Sequence, residues 1–166
     1  MDKHTKTIIG IVAVVAVIGI AAVWMTASSI ATEIDSSDGV GTFYDNGNKI
    51  ELLNGKPVIR MFSTTWCPHC KWVTPAFEEV AAEYEGRIVA MHWELDIGDN
   101  TLTPEYEGGI PSNETELFKQ TSPGGGVPAF LFGGKYVRGG TAFEREDDLE
   151  KEKEDFRKVI DALLEA

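Results

Sequence analysis

The stretch VIRMFSTTWCPHCKWVTPAF, residues 58–77, decides how this chain is read. Val58 to Ser63 is short, rich in apolar residues and bounded by turn residues, the pattern of a buried strand. Cys70, Val73, Phe77, Val80, Ala81 and Tyr84 then recur at helical spacing, and Gly86 supplies a stop. A strand therefore runs into a helix at the two cysteines. A helix beginning at Cys67 leaves its first backbone N–H groups without partners, and with the helix dipole these stabilise a thiolate. Cysteines three apart lie on one helical face, where a disulfide closes and reopens. The reading makes Cys67 the attacking sulfur and Cys70 the resolving one. Pro68 sets the first helical turn, and His69, when protonated, puts a positive charge beside the sulfur. A stabilised thiolate in the reduced state makes a disulfide a stronger oxidant, so Pro68 and His69 point toward oxidation.

Outward from this stretch, the pattern alternates between the two element types. Ile88 to Leu95 is a second strand candidate and Glu114 to Gln120 a short helix, with a loop rich in Gly, Pro and acidic residues between them. Ala129 to Phe132 and Lys135 to Arg138 flank Gly133 and Gly134, a two-residue hairpin signal. Leu149, Phe156, Ile160 and Leu163 mark one face of a closing helix. Upstream, Thr42 to Tyr44 and Lys49 to Leu53 flank Asp45 to Asn48, expected as a hairpin or as a strand and a short helix. Asn54 to Pro57 reads as a turn. The order β, α, β, α, β, β, α is a mixed α/β layer fold.

The amino-terminal end differs in character. Residues 7–25 carry no charge, and about 20 apolar residues in a helix cross a bilayer core. Lys3 and Lys6 precede the run while Glu33, Asp35 and Asp38 follow it, which places residues 1–6 in the cytoplasm and everything after the span outside. The expectation is a single-pass signal anchor at 7–25, a Ser-, Asp- and Gly-rich linker at 26–41 and a domain at 42–166. A signal peptide cleaved near Ser29 and Ala31 is the rival, and either exports the domain. The formal net charge of -12 argues against nucleic acid or anionic lipid surfaces as partners.

The chain has two cysteines, both in the Cys67 to Cys70 motif, so none staples distant segments together. A structural zinc site takes four ligands and no second pair exists. Attachment of a c-type haem requires His where Lys71 stands. No metal or cofactor is expected. Trp66, beside Cys67, is read as a shield over the sulfur, whereas Trp72 and Trp93 are read as packing. Asn113 to Thr115 forms a glycosylation sequon, a triplet that often arises by chance.

Trp66, Cys67, Pro68, His69 and Cys70, with Pro75 five residues on, resemble the active site of the thioredoxin-like superfamily, and the likeness extends over almost all of Thr42 to Leu164. The Pro-His pair is like that of bacterial disulfide oxidases. The resemblance implies a central mixed sheet flanked by helices and a thiol–disulfide oxidoreductase acting on exported proteins together with a membrane or soluble redox partner. It also implies that Val127 and Pro128 form the cis-proline loop that presents backbone to a substrate peptide. Gly139 and Gly140 resemble the glycine region before the last helix. Oxidase or isomerase is preferred; the alternatives are a reductase, for example in cytochrome maturation, and a non-catalytic binding module. Two departures stand out. Members of the family often carry a buried acid six residues before the first cysteine, where this chain has Met61; His92, on the neighbouring strand, is the candidate relay in its place. The segment from Ile97 to Ser122 is longer than thioredoxin has there, and is expected either to shape substrate choice near Val127 and Pro128 or to be decorative.

Overall fold

A computed structural model of the chain describes residues 39–166. The expected cytoplasmic terminus, the 7–25 span and most of the 26–41 linker lie outside the described residues. Among the described residues no helix is long and apolar enough to cross a membrane.

The sheet is built around strand β4, Lys56–Ser63, in which every residue after Lys56 is buried. Ahead of it come three short strands, β1 (Gly39–Val40), β2 (Phe43–Asp45) and β3 (Leu52–Leu53). Helix α1 (Pro68–Glu83) follows β4, then β5 (Val89–Glu94), β6 (Asp99–Asn100) and helix α2 (Ser112–Thr121). The hairpin β7 (Ala129–Phe132) and β8 (Tyr136–Gly139), a 3₁₀ turn at Glu144–Glu146 and helix α3 (Leu149–Glu165) complete the order. Across the sheet the strands run β1-β2-β8-β7-β4-β5-β6, with β3 paired to β4. β4 and β5 are parallel, as a strand–helix–strand crossover requires, and every other pairing is antiparallel.

Alternation along the central strands divides the core between the two faces. Ile59, Met61, Phe130 and Phe132 face α1 and α3, where they meet Phe77, Val80, Phe156 and Ile160. Phe62, Ala129 and Leu131 face the other way and are covered by Leu117 and Phe118 of α2. The first cluster is dense in aromatics, with Phe43, Phe77, Phe130, Phe132 and Phe156 at ring-centroid distances of 4.8 to 6.3 Å. Each such side chain contributes roughly 1.5–3 kcal/mol by leaving water. A mixed sheet with helices on both faces is the layer fold expected from the element pattern.

Several boundaries move. β1 places Gly39 and Val40 opposite Tyr44 and Phe43, so the sheet takes in the last residues of the stretch read as linker. The turn before β4 is confined to Asn54 and Gly55, both at positive φ, because Lys56 and Pro57 already pair with Leu53 and Leu52. Neither expectation for residues 42–53 is met. β2 pairs with β1 and β8 rather than with β3, and 46–51 is not helical. The intervening polar residues go elsewhere: the Asn46 N–H donates to Lys135 O (3.0 Å), and the Asn46 and Asn48 amides donate to Gly134 O (3.1 and 3.3 Å). They cap the β7–β8 turn.

Two buried arginines join the layers. Arg60 Nε and Nη2 reach both Glu114 oxygens (2.7 and 3.1 Å), and its Nη atoms reach both Glu51 oxygens (2.5 and 2.8 Å), fixing α2 to the sheet. Arg138 pairs with Asp155 (3.1 Å) and Glu152 of α3 and lies over the rings of Phe43, Phe130 and Phe156. Glu152 also accepts from the N–H groups of Ala142 and Phe143 (3.1 and 3.0 Å).

Candidate active site

The end of β4 turns directly into α1 through Thr64, Thr65 and Trp66. The Thr65 N–H donates to Asp96 Oδ1 (3.0 Å), and its hydroxyl bonds the same carboxylate, so the turn is anchored to the loop after β5. The Cys67 N–H donates to Thr64 O (3.2 Å), and Cys67 becomes the N-cap residue of α1 with extended backbone angles. Its sulfur accepts from the Cys70 N–H (3.3 Å), the place a Ser or Asp oxygen takes in an ordinary helix cap. Pro68 occupies the first turn, where its missing N–H costs nothing.

The two cysteines are free thiols with different surroundings. Cys67 is 3% exposed, and its S–H points at the carbonyl oxygen of Val127, 3.6 Å away. Cys70, in the first turn of α1, is 2% exposed and borders a cleft. Burial, and then the adjacent Cys67 sulfur, push the Cys70 thiol up to about 12. Cys67 thus adjoins the Val127 loop, while Cys70 is a neutral thiol that must lose a proton before it can react.

Val127–Pro128 is a cis peptide, and Pro128 O accepts from the Gly140 N–H (2.8 Å), which holds the loop to the end of β8. The structure therefore brings Val127 and Pro128 opposite Cys67. Trp66 is 69% exposed beside the buried Cys67. Pro75 lies inside α1. An open cleft of about 680 Å3 adjoins the loop, walled by His69, Pro128, Thr141, Glu144 and Glu146. No residue of 97–122 lines this cleft; α2 covers the opposite sheet face, and Ser122 Oγ reaches toward the loop only as far as Gly126 O (2.9 Å).

Two links tie α1 to the 3₁₀ turn. His69 Nδ1 is 2.7 Å from Glu144 Oε2, and Trp72 Nε1 donates to Asp147 Oδ1 (2.9 Å). The Thr141 hydroxyl first, and His69 after it, hold Glu144 below the usual carboxylate range. Sequence reasoning missed Glu144, which stands 75 residues from His69 with no local signal.

On the inner side, Met61 is buried in the aromatic cluster, so the position six residues before Cys67 offers no proton acceptor. His92 pairs with Met61 in the β4–β5 register and is 1% exposed. Its Nε2 is 2.8 Å from Ser63 Oγ, and its Nδ1 faces Thr101 Oγ1 (2.8 Å) and Glu78 Oε1 (3.3 Å). It stands behind Ser63, which itself lines a second cleft that includes Cys70 and Glu94. Glu94 was not singled out from the sequence, although it follows His92 by two and so shares its strand face. Among the described residues no group of three or more His, Cys, Asp or Glu is placed to hold a metal ion.

Comparison with known proteins agrees with this geometry. The Thioredoxin family model matches residues 43–112, from β2 through the cysteine pair to the start of α2. Thioredoxin of Thiocapsa roseopersicina is 35% identical over 79 residues, which is 46% of this chain and 85% of that protein. Thioredoxin of Acidithiobacillus ferridurans is 35% identical over 78 residues, covering 46% of this chain and 71% of its own. A protein disulfide-isomerase of Hordeum vulgare is 30% identical over 111 residues, 66% of this chain and 20% of that longer protein. Identity of this degree along most of a relative's length, with a paired Cys67 and Cys70 at a helix start, establishes that the chain belongs to the thioredoxin family and is a thiol–disulfide oxidoreductase.

Proposed function

We propose that the chain oxidises exported proteins, a substrate thiolate attacking Cys67 of the Cys67–Cys70 disulfide and expelling Cys70, with Cys67 attacking and Cys70 resolving when electrons flow the other way, and that residues 7–25 hold it at the cell membrane with its domain outside. The observation that carries the direction is the Pro68–His69 pair at the start of α1, with the imidazole fixed against Glu144 at 2.7 Å. A protonated imidazole in that place, with the helix N-terminus, favours the reduced couple, and a favoured reduced couple is an oxidant. The uncharged run at 7–25 and the Lys3 and Lys6 flank support the membrane reading. Substrate enters as an extended peptide beside Val127, whose carbonyl faces Cys67, with the 680 Å3 cleft receiving flanking side chains.

A reducing role is the second reading, favoured by relatives named thioredoxin. Equilibrating the Cys67–Cys70 couple against a glutathione series separates the two. An oxidant gives a potential above about -200 mV; a value near roughly -270 mV, as in thioredoxin, contradicts the oxidising direction.

A further inference from the structure

Cys70 is a buried neutral thiol, and the Met61 position supplies nothing to take its proton. A cleft lies beside Cys70. It measures about 260 Å3, room for several waters at roughly 30 Å3 each, and Ser63, Thr64, Cys70, Thr74 and Glu94 line it. Glu94 closes β5 half-buried, and its carboxylate takes part in none of the ion pairs among the described residues. Thr64 Oγ1 is buried without a hydrogen-bond partner and borders the same space, the mark of a polar wall that water completes. Ser63 lies beside Glu94 in the strand register and leads back to His92 at 2.8 Å.

We propose that Glu94 exchanges the proton with Cys70 when the mixed disulfide on Cys67 is resolved. The Cys70 thiol passes its proton through cleft water to the Glu94 carboxylate. The electron pair left on Cys70 Sγ attacks Cys67 Sγ; the Cys67–substrate S–S bond breaks, the Cys67–Cys70 bond forms, and the substrate sulfur leaves as a thiolate. The dithiol gives two electrons to the substrate disulfide. In the oxidising direction each step reverses and Glu94 returns the proton. The charged groups near Glu94 are Lys71 from α1, Asp99 opposite it on β6, Asp96 on the following loop and His92 behind Ser63.

The proposal rests on Cys67 attacking and Cys70 resolving, and it holds for either direction of electron flow. Its test is rapid-quench measurement of a mixed disulfide formed with a small disulfide peptide. Glu94→Gln is expected to slow decay of the adduct about tenfold or more at neutral pH, within the range of general acid–base contributions, and to remove the acidic limb of its pH profile. Formation of the adduct, measured in Cys70→Ala with and without Glu94→Gln, is expected to stay the same. Glu94→Asp, which keeps the carboxylate, is expected to retain most of the decay rate. Decay in Glu94→Gln within twofold of the unsubstituted chain at every pH overturns the proposal, as does equal slowing by Asp and Gln. Absence of any adduct in Cys70→Ala instead overturns the assignment of the attacking sulfur, so the two failures are distinguishable.

Discussion

Cys67 and Cys70 share a helix face and are both buried, and the roles proposed for them rest on what each sulfur touches. Cys67 caps α1 and looks out at Val127; Cys70 is pushed up to about 12, chiefly by burial. Since burial is the largest cause, it persists when Cys67 is removed. In Cys67→Ala, the Cys70 thiol is expected to resist iodoacetamide at pH 8, followed by mass spectrometry, and rapid labelling there would contradict the burial account. The placing of the two cysteines at a helix start was legible in the sequence because three-residue spacing and a helix start are local. Glu94 was legible in part, through its two-residue offset from His92, but the cleft that gives it meaning depends on how α1 packs on β4 and β5. Glu144 was not legible, since it meets His69 only after the chain has folded back.

Among the elements, those with a sustained apolar period stood out before the structure did: β4, α1, β5, the β7–β8 hairpin and α3. The two-residue strands β1, β3 and β6 have no period to detect and exist because a longer neighbour offers free backbone groups. Arg60 and Arg138 were hidden because a charged residue in a strand reads as solvent-facing, whereas both are buried against carboxylates from other elements. Arg138→Ala leaves Glu152 and Asp155 buried and uncompensated, which costs about 3–5 kcal/mol. A denaturation midpoint matching the unsubstituted chain would contradict that. In the β7–β8 hairpin, Gly133 sits at φ +64, where an added Cβ meets Leu163 at 2.4 Å. Gly133→Ala is expected to cost about 1–2 kcal/mol by the same measurement.

For the molecule as a whole, acidity governs the pH response. Several carboxylates are held below their ordinary range: Asp45 by the Gly47 N–H, Glu83 by Arg157, Asp96 by Thr65, Asp148 by the Lys151 N–H. A carboxyl group whose folded value is depressed contributes stability that is present above its unfolded value and lost as pH falls through the folded one. Opposing this, the net charge of -12 relaxes as pH approaches the sequence pI near 4.6, which relieves repulsion. Thermal unfolding of residues 39–166 is therefore expected to change little from pH 8 to about 5 and to fall in Tm below about pH 4. A Tm that rises steadily to pH 3 would show that repulsion outweighs the paired carboxylates. The couple itself is probed by trapping. Incubated with a disulfide-bearing unfolded protein, Cys70→Ala is predicted to accumulate an adduct linked through Cys67, while Cys67→Ala accumulates none. Equal adduct on both variants, or adduct on Cys67→Ala alone, would contradict the account.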